Sequence, residues 1–374
     1  MPLLSSFPGH AMRALLLVVL FTLSPPGLAQ QHPSPGTGFT GYHHTAWRAG
    51  QGAPGDIWDI QQDPNGTLWL ATGSGLYSFD GHRFVRQQTN AGAAQPSLNL
   101  VTLLGDRSGG LWLGYYHAGI AHLGSDGTLR SYQRKDGVPP GVVSGFAYDS
   151  NGVLWAAVDE GLRRFNGTRW EKPPASMGLP ERHAHWLLND SRGRFWALVG
   201  QKVWFIPKGG AAFVPTGIEV SLMATLAESP SGEIWLADRR RGAVPIADAN
   251  GLLPAAERQA RLLPDVLASR LHFTSDGAMW APMRGGGGIL RVLFDGKHAV
   301  RMERFDVPQG LTSTSAVPVF EDREGNVWVG TNLGLNRFRA QSVRTLTEGP
   351  NDPYRILARN ADGALFGYGE DMVP

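Results

Sequence analysis

The sequence predicts an all-β chain folded as a β-propeller, with seven four-stranded blades set around an axis. Three observations predict it. First, a glycine stands three residues before a large aromatic eight times, from Gly66/Trp69, Gly109/Trp112, Gly152/Trp155 and Gly193/Trp196 through Gly232/Trp235, Gly277/Trp280 and Gly325/Trp328 to Gly363/Phe366. Second, successive aromatics are 43, 43, 41, 39, 45, 48 and 38 residues apart, a period that marks circular or stacked repeats. Third, each aromatic lies in a short alternating apolar run bounded by turn residues, four runs to a period, which is the content of one propeller blade.

Taken in order, the chain opens on an export signal. Arg13 precedes an apolar run over 14–23, Ser24-Pro25-Pro26 breaks it, and Gly27-Leu28-Ala29 offers small residues for cleavage after Ala29. Ten apolar residues are too few for a stable membrane span, so residues 1–29 are expected to be removed and the product to be periplasmic. Residues 39–47 (FTGYHHTAW) then read as a fourth strand without its own sheet. Pairing that strand into the last blade would close the ring and remove two sheet edges.

The first full unit is the clearest. Ile57 to Ile60 is a strand and Asp63-Pro64-Asn65-Gly66 a turn, followed by a second strand over 67–71 that carries Trp69. A loop at Thr72-Gly73-Ser74-Gly75, a third strand over 76–79, the turn Asp80-Gly81 and a fourth strand over 83–87 complete it. Six residues before each aromatic stands a short acceptor: Asp63, Asp106, Asp149, Asp190, Ser229, Thr274, Asp322 and Asn360. Such side chains cap their own turns, and the following glycine supplies positive φ. These turns lack the ladder of acidic ligands a calcium loop needs. Alternation on the second strand points the aromatics to one face, where neighbouring blades would bury them.

The fourth and fifth units are the most degenerate, and residues 252–267 read as a loop insertion with room for a helical turn. Seven units are complete over 30–348. An eighth begins with strands near 354–358 and 364–368 and stops at Pro374, so 349–374 reads as the truncated start of a further repeat and the chain as a fragment of a longer protein. An eight-bladed ring with an incomplete last blade is the alternative.

The stretches DPNGTLWLATGSGLYSFDG (63–81) and DREGNVWVGTNLGLNRF (322–338) resemble two-component regulator propeller repeats. The first, third and seventh units match closely, the second well and the rest in part. The resemblance implies the exported sensor part of a bacterial membrane receptor, itself non-catalytic, joined in a longer parent to a membrane helix and a histidine kinase or diguanylate cyclase output domain. Partners implied are an unknown small molecule or saccharide and that membrane-linked output domain; a homodimer is left open.

Bulk numbers add exclusions. A net charge of +2 with scattered arginines gives no basis for a nucleic-acid partner, and the absence of cysteine excludes disulfides and a lipoprotein anchor. There is no Gly-x-Ser-x-Gly, His-Glu-x-x-His or phosphate-binding Gly-rich loop, so no catalytic residues and no cofactor are expected. Site candidates are departures from the repeat in the loops of one rim. They are Tyr115, Tyr116 and His117 for stacking, Arg239, Arg240, Arg241 and Arg284 for a carboxylate or phosphate, and His183 for the central channel. His183 and His185 share a face by alternation, but two histidines without an acidic third ligand do not make a metal site. The other function classes in play are a secreted propeller enzyme of the virginiamycin B lyase type and a protein-interaction scaffold.

Overall fold

A computed structural model describes residue 39, residues 41–87 and 96–341, and the backbone of 356–359 and 365–368. The export signal lies outside the described residues. Blade 1 is made of Ile57–Gln62, Leu68–Thr72, Gly75–Phe79 and Phe84–Arg86, hydrogen-bonded in that order as an antiparallel meander. Six further four-stranded sheets repeat the pattern. Their innermost strands are Leu100–Gly105, Val143–Tyr148, Ala184–Asn189, Thr225–Glu228, His272–Phe273 and Ala316–Glu321.

The ring closes as the sequence predicts. Tyr42–Arg48 is the outermost strand of blade 7, antiparallel to Gly334–Ala340 and in register from Tyr42↔Ala340 to Arg48↔Gly334. The innermost strands of blades 1 and 7 meet across this closure. The ring therefore has seven blades, with its first and last strands in sequence knitted into one sheet. Beyond it, Ile356–Arg359 and Leu365–Tyr368 pair as a separate antiparallel hairpin. The insertion before blade 6 forms a short helix, Ala255–Ala260, tied down where Arg261 pairs both of its Nη atoms with Glu233 at 2.8 Å.

The core is divided among the seams. Trp235 packs with Ala268 and Met279 of the next blade, Trp280 with Ala316 and Val327, and Trp155 with Ala184 and Phe195. Trp196, Trp112, Trp69 and Trp328 do the same against blades 5, 3, 2 and 1. Each anchor aromatic thus fills one seam, and each fully enclosed ring contributes about 2–3 kcal/mol through area alone.

The capping acceptor has a second task that the sequence does not announce. In blade 3, Asp149 Oδ1 accepts from the Asn151 and Val153 amides, and Oδ2 accepts from Trp155 Nε1 at 2.8 Å. Asp63, Asp190 and Asp322 hold Trp69, Trp196 and Trp328 in the same way. In blade 2 that oxygen of Asp106 pairs instead with His122 Nε2. Blades 5 and 6 carry Ser229 and Thr274, whose single oxygen cannot serve both turn and indole, and Trp235 Nε1 and Trp280 Nε1 are buried without a partner among the described residues.

Candidate functional site: an axial cavity

The innermost strands do not run straight into their sheets. In blades 1, 2, 3 and 4 the pairing skips one residue near the strand start: Trp58, Val101, Ser144 and His185. In blade 7 it skips Val317 and Pro318. A bulge leaves its extra residue outside the ladder and re-aims the side chain. All five positions (Trp58, Val101, Ser144, His185 and Val317) line one cavity of about 570 Å³. Blade 5 adds Met223 and Thr225, and blade 6 adds Ser269, Arg270 and Arg284, so every blade supplies wall. The volume is that of a small-molecule site. A larger hollow of about 920 Å³ lies in the seam of blades 2 and 3 and is lined by turn residues such as Asp106 and Gly152.

One layer along, a charged clamp crosses the ring. Arg270 of blade 6 donates from Nη1 to Asp59 Oδ1 of blade 1 at 3.1 Å. Its guanidinium lies 4.7 Å from the ring centroid of Trp186 in blade 4. Trp186 is itself fixed, donating from Nε1 to the Leu226 carbonyl at 2.9 Å. Asp59 is buried, and its other oxygen accepts from Thr102 Oγ1 and the Leu103 amide, both at 3.0 Å. Five blades are stitched through these side chains, and a buried, fully bonded carboxylate of this kind holds its partner in one geometry.

The structure places the site candidates in three groups. Tyr116, His183 and Arg284 line the cavity. Tyr116 is held by backbone pairing with Val142 of blade 3 and by its amide to the Asn99 carbonyl, and the residue is 47% exposed. His183 precedes its strand, which begins at Ala184, and its Nδ1 lies 3.1 Å from Asp159 Oδ1. The rings of His183 and His185 stack, 5.5 Å between centroids and 10° apart in plane. Burial first, and the neighbouring His183 second, push His185 down to about 4, with the Ala224 backbone opposing; neither ring nitrogen has a partner in hydrogen-bonding geometry among the described residues.

A second group sits beside the cavity. His117 has φ of 67° and packs its ring edge-on to Tyr116. Arg239 is half-buried, and its charge, after burial itself, lowers the Arg284 guanidinium below its ordinary value. Neither Arg239 nor Arg284 pairs with a carboxylate among the described residues.

The third group is a correction. Tyr115 does not enter the loop: it ends the strand Leu111–Tyr115, is fully buried in the seam of blades 1 and 2, and has no partner for its hydroxyl among the described residues. Burial raises it accordingly. The three consecutive arginines also part company. Arg240 is exposed, and Arg241 donates from Nη1 to the Glu219 carbonyl at 3.1 Å, lining a different hollow with Ile218, Ala255 and Arg258. Loop residues that are adjacent in sequence alternate in direction here, which composition does not reveal.

Trp58, Arg270, Asp59 and Trp186 escaped the sequence reading, although the repeat indexes them. Eleven residues before each anchor aromatic stand Trp58, Val101, Ser144, His185, Ala224, Ser269 and Val317, six of which line the cavity. The next position holds Asp59, Thr102, Trp186 and Arg270 of the clamp, and Thr225 of the cavity wall. Among the described residues no three His, Cys, Asp or Glu side chains converge as a metal requires. No described helix is long and apolar enough to cross a membrane.

Residues 51–74 and 310–333 match the two component regulator propeller family model, so the chain carries repeats of that family. No curated protein sequence matches the chain. Among solved structures it is similar to the extracellular domain of the hybrid two component system BT3049 from B. thetaiotaomicron, with a TM-score of 0.63 at 16% identity, covering 88% of this chain and 48% of that one. It is also similar to virginiamycin B lyase from Staphylococcus aureus, with a TM-score of 0.60 at 12% identity over 79% of this chain and 99% of that one. A third is PorZ of the Porphyromonas gingivalis type-IX secretion system, with a TM-score of 0.56 at 15% identity, covering 84% of this chain and 54% of that one. At these identities the likeness is one of fold. The chain spans about half the length of the two-component extracellular domain it matches.

Proposed function

We propose that this chain, built on two-component regulator propeller repeats, is the ligand-sensing propeller of an exported bacterial signalling receptor and performs no chemistry itself. In this reading it works in the periplasm, and a membrane-linked output domain belongs to a longer parent. The ligand is a small molecule, and its seat is the axial cavity. One observation carries the reading: bulges in five innermost strands turn Trp58, Val101, Ser144, His185 and Val317 out of their sheets into a single cavity. A propeller needs none of these bulges to close its seams, and bulges recur where a side chain is aimed at a ligand.

The test is a thermal-shift screen of small metabolites against the purified chain, followed by the same hits on Trp58→Ala and Tyr116→Ala. Both side chains are more than one-third exposed, so both variants are expected to keep the parent melting temperature within about 2 °C. They are expected to lose the ligand-induced shift. Hits that shift both variants as much as the parent would place the ligand elsewhere.

A second reading, a secreted propeller lyase, is favoured by one feature, the His183–Asp159 pair at the cavity mouth. Such a pair can position a general base. Incubating the chain with quinupristin, the ligand in the lyase structure, separates the two readings, because turnover lost in His183→Ala would favour the enzyme.

A further inference from the structure

We infer that the axial cavity selects an organic carboxylate with a flat apolar body, an aryl or indolyl acid, over a neutral saccharide. This deepens the sensing proposal and rests on the axial cavity being the ligand seat. The cavity wall is largely carbon: Trp58, Val101, Tyr116, Val142 and Val317 supply two aromatic faces and three branched aliphatic side chains. Its charged lining is cationic, Arg270 and Arg284, with no Asp or Glu among the lining residues.

The two arginines do different work. Arg270 is pre-oriented, its guanidinium over the Trp186 ring and anchored to Asp59 through Nη1. A guanidinium has five N–H donors, and Asp59 takes only one of them. The others have no partner among the described residues, so a planar donor fork faces the cavity already ordered. Arg284 is uncompensated: burial first and the like charge of Arg239 second disfavour its charged form, and it pairs with no carboxylate among the described residues. An anion placed there relieves that repulsion and gains charge-assisted hydrogen bonds.

A neutral sugar fits this lining less well. Its hydroxyls call for several carbonyl or carboxylate acceptors as well as donors, and the lining offers one amide, Asn99, the imidazoles of His183 and His185, and the hydroxyls of Tyr116, Ser144, Thr225 and Ser269, with no side-chain carboxylate. The volume of about 570 Å³ accommodates a single small acid with room for ordered water.

The experiment is isothermal titration of the purified chain with phenylacetate and indole-3-acetate, with their amides, and with maltose. At least one acid is expected to bind about tenfold or more tightly than its amide, more weakly as salt is raised. Arg284→Gln is expected to lower acid affinity about tenfold while leaving amide binding and the melting temperature in place. Amides that equal the acids, two acids that fail to bind, or acid binding indifferent to Arg284→Gln would each overturn the proposal. Maltose binding abolished by Tyr116→Ala would overturn the acid class and leave the axial seat standing. Probe binding indifferent to both Trp58→Ala and Tyr116→Ala would overturn the seat as well.

Discussion

Asp149 shows how much one side chain can organise. Its two oxygens close the turn and hold the Trp155 indole, so a single carboxylate sets both the hairpin and the orientation of the ring that fills the next seam. Asp149→Ala strands a buried indole N–H and two turn amides. It is expected to cost about 2–4 kcal/mol in urea unfolding, well above a surface substitution. The converse holds in blade 5, where Ser229 leaves Trp235 Nε1 unpaired. Ser229→Asp is expected to add about 1 kcal/mol, and a loss of stability there would show that the indole of that blade does not reach the added carboxylate. The spacing of acceptor to tryptophan is plain in the sequence, but its meaning is not. A cap alone explains Asp, Asn, Ser or Thr equally well; the second oxygen, held by an indole in four blades and by His122 in blade 2, explains why Asp stands in five of the seven.

At the scale of elements, the strands and turns were legible and the bulges were not. Period, turn chemistry and alternation are local properties, so the blade count, the closing strand over 39–47 and the helical turn within 252–267 could be read from residues alone. A bulge depends on which partner residue the neighbouring strand presents, and no local pattern reports it. For this reason the sequence alone places Tyr115 on the rim and gives no sign of Trp58. The innermost strands also carry a pH liability. Burial pushes His272 down to about 4, Arg270 adding to it, and His185 is pushed to the same value from an ordinary 6.5. Between those values the unfolded chain binds protons that the folded chain refuses, so stability rises with pH from about 4 to about 6.5 and is level above it. Each histidine is expected to withhold roughly 2–3 kcal/mol at the acid end of that window. Urea titrations at several pH values should show this slope in the parent and a flatter one in a His185→Gln, His272→Gln double variant. An equal slope in both would assign the acid sensitivity to other groups.

For the molecule as a whole, the cavity exists because the ring is closed. Its walls come from all seven blades, and Asp59 of blade 1 meets Arg270 of blade 6 only if blade 7 brings the circle round. Closure in turn rests on Tyr42–Arg48 completing the sheet of Gly334–Ala340. The chain has no cysteine, so an engineered pair reports on this junction without competition. His43 and Arg339 are exposed and directly opposite in the register. In the His43→Cys, Arg339→Cys variant, mild oxidation is expected to form one intramolecular disulfide, seen as a monomer two mass units lighter. The closed loop of nearly 300 residues is expected to raise the melting temperature by several degrees. Two free thiols after oxidation, or disulfide-linked dimers in place of the closed monomer, would contradict the closed seven-bladed ring and the axial cavity with it.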